Sequence, residues 1–237
     1  MIRDPRRAYR VVDAFEDELA DYTGASYAVA VNSCTNALLL ALTWERMRGV
    51  EGPVRLPRRT YVGVLQSVLN AGYEIEWEPE YDWQGRGFYP LLPALVQDSA
   101  RALRRDYRAG HICLSFHAAK QLPLGRGGAI LTDNAEANEW FRAARMDGRP
   151  PGALIEATVF PGYHCPMPPE VASRGLDILS RWNDAGYSPP PLPPTDYPDL
   201  SVLSISQNVA PSKPGTSDPV SARADSDKPR ASSIWEP

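Results

Sequence analysis

Short apolar segments alternate with segments of helical spacing over the first 186 residues, and this alternation constrains the fold more than any other feature. Apolar residues at helical spacing predict helices at residues 11–22, 35–47, 62–71, 135–145 and 170–182. Short apolar or alternating runs predict strands at residues 27–31, 54–56, 73–77, 95–97, 112–116 and 128–132. Strands that alternate with helices in this way favour an α/β domain with a largely parallel sheet.

The composition changes sharply near Tyr187, where a segment rich in proline, serine and aspartate begins. Such a segment buries too little apolar surface to offset the entropy lost when it becomes ordered. We therefore predict a folded domain at residues 1–186 and a mostly disordered or extended tail at residues 187–237. The apolar run at 200–205 and Trp235 could dock weakly, and the prolines of 189–194 suit a passive linker or a polyproline ligand for a partner.

Charge and cysteine content narrow the classes of function. The chain of 237 residues has a net charge of −4 and a pI near 5.5, which argues against a general nucleic-acid binder. Cys34, Cys113 and Cys165 are too dispersed for a disulfide framework or a zinc site, so we expect reduced thiols in the cytoplasm. We predict no signal peptide and no membrane span, and the three unclustered histidines predict no metal site.

Polar residues follow two of the predicted strands. Ser33, Cys34 and Thr35 separate the strand at 27–31 from the next helix, where free backbone N–H groups could hold a phosphate. Asp98 follows the strand at 95–97, where open α/β sheets place ligands, and its carboxylate could pair with a pyridinium nitrogen. Each residue also has an ordinary interpretation, since Ser or Thr often caps a helix and Asp98 could cap a turn.

Lys120 lies in the most distinctive segment of the sequence, SFHAAKQLPLGRGG at 115–128. A lysine that is partly desolvated beside a sheet is a useful amine nucleophile. Taken alone, Lys120 would be an ordinary solvated charge. The order Ser-Phe-His-x-x-Lys followed by Gly-x-Gly-Gly sets it apart.

Five segments, taken in order, resemble the DegT/StrS family of sugar aminotransferases. They are SCTNAL at 33–38, PRRTY at 57–61, QDSA at 97–100, the lysine segment at 115–128 and GYHCPM at 162–167. The resemblance covers roughly residues 10–182. It implies the three-layer α/β/α fold of type I pyridoxal-phosphate-dependent transferases, with a mostly parallel sheet and the small C-terminal domain missing. It also implies pyridoxal 5′-phosphate as the cofactor and a homodimer with its active site at the subunit interface.

The resemblance implies a role for each matching residue. Lys120 would hold the cofactor covalently and move a proton, Asp98 would pair with the pyridine nitrogen, and Tyr61 would stack on the ring. The phosphate would be bound by residues of two turns, namely Ser33, Cys34, Thr35 and Ser115. The reaction would move an amino group from an amino acid, glutamate in most of the family, to a nucleotide-linked keto sugar. Retention of Lys120 argues against the related sugar dehydratases, which replace that lysine.

Several positions depart from the family pattern. Cys34 replaces a glycine, Arg101 stands where Gln or His lies near the cofactor hydroxyl, and His164 replaces an asparagine that the partner subunit supplies. Arg101 and His164 are kept as cofactor-binding candidates.

The segment between Trp77 and Leu95 is short and lacks a strand and a helix. Its aromatic residues are expected to cover the gap in the core or else to contact a substrate or partner: Trp77, Tyr81, Trp83, Phe88 and Tyr89. A second hypothesis is therefore a non-catalytic relative that acts as a binding or assembly partner.

Overall fold

The computed structural model describes residues 6–78 and 83–207. Its helices are α1 (Arg6–Thr23), α2 (Cys34–Met47), α3 (Val62–Asn70), α4 (Ala135–Ala144), α5 (Pro169–Asp184) and α6 (Ser204–Gln207). Its strands are β1 (Tyr27–Val31), β2 (Val54–Pro57), β3 (Ile75–Glu78), β4 (Tyr89–Pro90), β5 (Val96–Asp98), β6 (His111–Ser115) and β7 (Gly128–Thr132). Single 3-10 turns lie at Ile155–Ala157 and Leu200–Val202. The sequence predicts all of these helices except α6 and all of these strands except β4.

Helix ends follow from side chains that cap them. The Ser33 hydroxyl accepts a hydrogen bond from Asn36 N at the start of α2, and the Asn134 side chain accepts one from Ala137 N at the start of α4. Helix α1 stops at Gly24, whose φ of +78° is in the left-handed region that glycine adopts without strain.

The main sheet has five strands in the order β1-β7-β6-β5-β4, and β2 pairs with β3 in a separate two-stranded sheet. In the main sheet only β5 and β6 pair in parallel, whereas the other neighbours are antiparallel. The expected α/β fold is confirmed, but the sheet is mixed and not mostly parallel. The pairings make β1, β5 and β6 run in one direction, so their carboxyl ends share an edge with the start of β7.

Helices cover both faces of the main sheet. One face packs Val29, Cys113 and Ile130 against α2, α3 and α4. The other face packs Ala30, Leu114 and Leu131 against α1 and α5. Because neighbouring residues of a strand point to opposite faces, β1, β6 and β7 each contribute to two separate cores. The three-layer α/β/α arrangement predicted from the sequence is therefore present.

A buried carboxylate ties α1 to the edge strand and to α4. Glu16 accepts hydrogen bonds from Ala30 N at 2.7 Å and from Arg145, and Arg142 lies 2.7 Å from its second oxygen. Arg145 also donates to Ala30 O at 2.6 Å. Arg142 and Arg145 therefore stabilise the packing of α4 against α1 and β1.

The described part of the proline-rich segment after α5 packs against the domain. Leu200 is 1% exposed, and Leu200 N donates to Arg58 O at 2.8 Å. Residues 188–207 therefore include contacts with the domain, and the disordered or extended character of residues 187–237 as a whole stays a prediction. Residues 208–237, with Trp235, lie outside the described residues, as does Tyr81.

Candidate active site

A cavity of about 630 Å³ opens at the sheet edge where β1, β5 and β6 end. This volume suits a cofactor-sized ligand. Eight of the nine residues predicted for the site line this one cavity: Ser33, Cys34, Thr35, Tyr61, Asp98, Arg101, Ser115 and Lys120. The fold therefore gathers residues from turns that are far apart in sequence.

Asp98 supplies a buried carboxylate on one side of the cavity. It is 5% exposed, accepts a hydrogen bond from Tyr89 OH at 2.7 Å, and accepts another from Ala100 N at 2.9 Å. Burial raises the pKa of Asp98, while these two hydrogen bonds and the positive charge of Lys120 oppose that rise. A cationic ring nitrogen beside Asp98 would favour its ionised form in the same way.

Tyr89 links Asp98 to the wall formed by the start of α3. Its hydroxyl also lies 2.5 Å from Thr60 Oγ1, and its pKa is raised well above the ordinary value by burial and by the charge of Asp98. Tyr89 therefore remains a neutral hydrogen-bond donor to Asp98. Of the aromatic residues predicted to fill the shortened segment, Tyr89 and Trp83 are buried in the core, and Trp83 also lines the cavity.

Lys120 is presented by a turn that follows β6. Lys120 N donates to His117 O at 2.9 Å, and the turn closes where Leu124 N donates to Phe116 O at 3.0 Å. Gly125, with a φ of +90°, allows the chain to return toward β7. The amine and the Asp98 carboxylate belong to the walls of the same cavity, and Lys120 is the only lysine of the described segments.

The start of α2 forms another part of the cavity wall. The first N–H groups of a helix have no acceptor within the helix. Ser33 Oγ accepts the N–H of Asn36 at 3.1 Å, and no acceptor for Cys34 N or Thr35 N lies within 6–78 or 83–207. These free donors and the helix dipole suit an anion such as a phosphate.

Two glycines allow the chain to come close to this helix start. A Cβ at Gly128 would lie 2.5 Å from Cys34 N, and a Cβ at Gly63 would lie 2.8 Å from Thr35 Oγ1 and 2.5 Å from the Tyr61 ring. The cavity thus has an anion-binding end, a carboxylate and an amine, with Tyr61 exposed at its mouth. This set of groups fits pyridoxal phosphate.

Comparison with known proteins identifies the family. The model of the DegT/DnrJ/EryC1/StrS aminotransferase family matches residues 5–76 and 94–184, which is more than half of the chain. The chain belongs to this family. The cofactor of the family is pyridoxal 5′-phosphate, as the sequence resemblance implies. The unmatched residues between the two segments coincide with the shortened region predicted from the sequence.

Individual DegT/DnrJ/EryC1/StrS relatives cover most of this chain, but the chain covers less of them. The spore coat polysaccharide biosynthesis protein SpsC of Bacillus subtilis is 25% identical over 73% of this chain and 57% of its own length. The sugar aminotransferase CalS13 of Micromonospora echinospora shares the fold with a TM-score of 0.59 at 20% identity, covering 73% of this chain and 61% of CalS13. A GDP-4-keto-6-deoxymannose-3-dehydratase, ColD, has a TM-score of 0.56 at 14% identity over 73% and 61%. The chain therefore spans less than two thirds of the length of each of these proteins.

His164 is the one predicted site residue that lies outside the cavity. Its side chain is 74% exposed, and its Nδ1 lies 3.1 Å from Asp147 Oδ1. Asp147 has a φ of +64°, a conformation that places its carboxylate beside this histidine. The role that the resemblance implies for His164, in the site of the partner subunit, stays a prediction.

Arg101 lines the cavity, yet its terminal nitrogens are turned to the proline-rich segment. Its Nη1 donates to Thr195 Oγ1 at 2.6 Å, and its Nη2 donates to the carbonyl of Pro193. The structure thus adds Thr195 and Tyr197 to the cavity wall, together with Thr60 and Trp83. The aromatic cluster was a sequence signal for Trp83, whereas a proline-rich composition offers no signal for Thr195 or Tyr197.

In the described part of the chain no helix is long and apolar enough to cross a bilayer. The same segments, 6–78 and 83–207, hold no group of three His, Cys, Asp or Glu side chains placed to bind a metal ion.

Proposed function

We propose that this chain binds pyridoxal phosphate in the cavity and uses it to transfer an amino group from an amino acid, most simply glutamate, to a nucleotide-linked keto sugar. The observation that carries the proposal is the meeting of three groups in one cavity. They are the Lys120 amine, the buried Asp98 carboxylate and the free N–H groups at the start of α2. Each matches one part of the cofactor: its aldehyde, its pyridine nitrogen and its phosphate.

Each site residue of the chain would have a distinct role in binding the cofactor or in moving a proton. Lys120 would hold the cofactor covalently through Nζ and, when released, carry a proton to or from the substrate carbon. Asp98 would hold a proton on the pyridine nitrogen, and Tyr89 would fix the carboxylate by its hydrogen bond at 2.7 Å. When bound, the cofactor supplies an electron sink for the carbon that carries the amine. The N–H groups of Cys34 and Thr35 would bind its phosphate, and Tyr61 would cover the ring.

The side chain of Cys34 affects how a phosphate would fit at the start of α2. Its thiol lies at the cavity wall, and burial, with the nearby charge of Asp98, raises the pKa of the thiol well above its ordinary value. The side chain is therefore a neutral group beside the proposed anion. A neutral thiol leaves the backbone N–H of Cys34 available to the phosphate.

The experiment that tests the proposal is borohydride reduction of the full chain with pyridoxal phosphate, followed by peptide mass spectrometry. The sequence has only three lysines, Lys120, Lys213 and Lys228, so the site of attachment can be read without ambiguity. We expect reduced cofactor on Lys120, and we expect it to disappear in Lys120→Arg, which keeps the positive charge beside Asp98. The variant Lys213→Arg is the matched control and should retain the label. Label on Lys213 or Lys228 alone would refute the proposed site.

Catalysis is tested separately by following amine transfer from glutamate with a panel of nucleotide-linked keto sugars. The likeness to a dehydratase structure makes sugar dehydration the competing reaction of the same fold. Lys120, which the dehydratases replace, supports amine transfer. The short internal segment between Trp77 and Leu95 and the departures at Cys34 and His164 support instead a non-catalytic binding partner. Cofactor on Lys120 without amine transfer to any keto sugar would favour that second candidate.

A further inference from the structure

Residues 192–203, which we term the strap, form part of the cavity wall although they follow the last long helix. Arg101, 6% exposed, holds the strap by donating to Thr195 Oγ1 at 2.6 Å and to the carbonyls of Leu192 and Pro193. Hydrogen bonds to a charged donor are among the stronger ones in proteins. One buried side chain of the cavity therefore fixes the first half of the strap.

The second half of the strap is held by other parts of the domain. Arg59 donates to Tyr197 O at 3.1 Å, and Leu200, 1% exposed, enters the same core as α3. Gln84 exchanges two hydrogen bonds with Thr195, at 2.9 Å and 2.6 Å. These contacts join the strap to the segment before α3 and to Gln84.

The strap reaches the proposed cofactor site through a row of rings. Tyr197 stacks on Trp83 at a centroid distance of 5.9 Å, and Trp83 meets Tyr89 edge-on at 4.7 Å. Tyr89 is the residue that donates to Asp98. Thr195, Tyr197 and Trp83 all line the cavity, so a shift of the strap changes the wall next to that carboxylate.

One nitrogen of Arg101 has no hydrogen-bond partner in the part of the chain that the structure describes. Its Nε is buried and has no acceptor among residues 6–78 and 83–207. A buried unpaired donor is costly, and an oxygen of a bound ligand could relieve that cost. Arg101 would then hold the strap with its terminal nitrogens and the ligand with its Nε.

We propose that the strap is a working part of the binding site: Thr195 and Tyr197 contact the bound pyridoxal phosphate, and the strap must loosen before the cofactor leaves. The inference rests on the proposed function, since it takes pyridoxal phosphate as the occupant. It assigns a ligand-binding role to a proline-rich segment that the family model, which matches no residue after 184, does not include.

The test compares cofactor release from the full chain and from three strap variants. Tyr197→Ala removes the ring that stacks on Trp83, and Thr195→Val removes the hydroxyl that accepts from Arg101. Val202→Ala is the matched control, because Val202 belongs to the strap but is 69% exposed and does not line the cavity. Loss of an aromatic contact or of one hydrogen bond to a charged group predicts release that is several-fold to tens of times faster. Val202→Ala should release the cofactor at the unmodified rate, and urea denaturation confirms that each variant is folded.

Hydrogen–deuterium exchange gives a readout that does not depend on turnover. Addition of pyridoxal phosphate should slow exchange at strap amides, among them Leu200 N, which donates to Arg58 O. Cofactor that binds Lys120 but leaves strap exchange and all release rates unchanged would overturn this inference and leave the proposed function standing. No cofactor on Lys120 after borohydride reduction would overturn both.

Discussion

Replacement of Gly128 by alanine places a methyl group against the backbone at the proposed phosphate-binding end of the cavity. The new Cβ would lie 2.5 Å from Cys34 N, 2.6 Å from Ser33 C and 2.7 Å from Leu114 O. Contacts below 3.0 Å to backbone atoms cannot be relieved by turning a side chain, so β7 and the start of α2 must separate. Overpacking of this kind costs about 1–3 kcal/mol of folding stability.

The same movement should weaken cofactor binding, because Cys34 N is one of the free donors proposed for the phosphate. Loss of one hydrogen bond to a charged acceptor costs about 1.5–3 kcal/mol, which corresponds to roughly 10- to 100-fold in the dissociation constant. We would measure the dissociation constant of pyridoxal phosphate by absorbance titration and the free energy of unfolding by urea denaturation.

Gly175→Ala is the matched control. Its added Cβ would lie 2.4 Å from the ring of Phe15, at the contact between α5 and α1 on the other face of the sheet. Because these contacts are to side chains and not to backbone, it should lower stability by no more than Gly128→Ala does and leave cofactor affinity unchanged. If Gly128→Ala lowers stability while affinity for pyridoxal phosphate stays at the unmodified value, the start of α2 does not bind the phosphate.

Three further predictions concern titrating groups. Because burial raises the pKa of Asp98, this side chain contributes fully to the free energy of unfolding below its ordinary pKa of 3.8, and the contribution is lost as pH rises through the folded pKa. Asp98→Asn should therefore raise the urea midpoint of the cofactor-free protein at pH 7 but not at pH 3, whereas the exposed control Asp17→Asn should change the midpoint at neither pH. An unchanged midpoint for Asp98→Asn at pH 7 would contradict this. His111, whose Nε2 lies 3.2 Å from Glu45, lowers the pKa of that carboxyl below its ordinary 4.5, so the stabilisation of the fold is present above pH 4.5 and is lost as pH falls. Glu45→Gln should lower the free energy of unfolding, measured by urea denaturation, by about 1.5–3 kcal/mol at pH 7 and by less at pH 3. An equal loss at both pH values would refute the pairing. Burial raises the pKa of Cys165 to about 11 and that of Cys113 well above its ordinary value. Both thiols should therefore react with iodoacetamide at pH 8 far more slowly in the folded protein than in the urea-unfolded control. Modification at the rate of the unfolded chain would contradict their burial.

Much of the fold can be predicted from periodicity, because α2, α3 and β7 have the residue pattern of their final state. Strand direction cannot be predicted in this way. Periodicity is the same for a strand that runs up or down, so the antiparallel position of β7 between β1 and β6 is not visible in its sequence. Strand β4 has only two residues, Tyr89 and Pro90, and a proline is an unfavourable sign for a strand.

The candidate site is partly predictable for a different reason. Ser33, Asp98 and Lys120 follow or cap regular elements, so their order along the chain indicates the edge of the sheet to which they belong. Thr195 and Tyr197 lie about 75 residues beyond Lys120 in the chain, in a segment whose composition predicts disorder. Their place in the wall depends on long-range bonds from arginines, and such pairs cannot be read from local pattern. The role of His164, which lies away from the cavity, stays a prediction.

Polar groups in the cavity wall lower the stability of the ligand-free protein. A buried Asp98 with a raised pKa lowers that stability, and so does the buried Arg101 Nε, which has no acceptor within residues 6–78 and 83–207. An apolar filling of the same space would be more stable, so these groups are not explained by packing. These groups differ in the charge that they suit. The Asp98 carboxylate suits a cation, whereas the Arg101 Nε and the N–H groups at the start of α2 suit anionic oxygens. A single ligand that satisfies all of them carries a cationic group for Asp98, anionic oxygens for the donors and an electrophile for Lys120. Pyridoxal phosphate has these three groups in its ring nitrogen, its phosphate and its aldehyde.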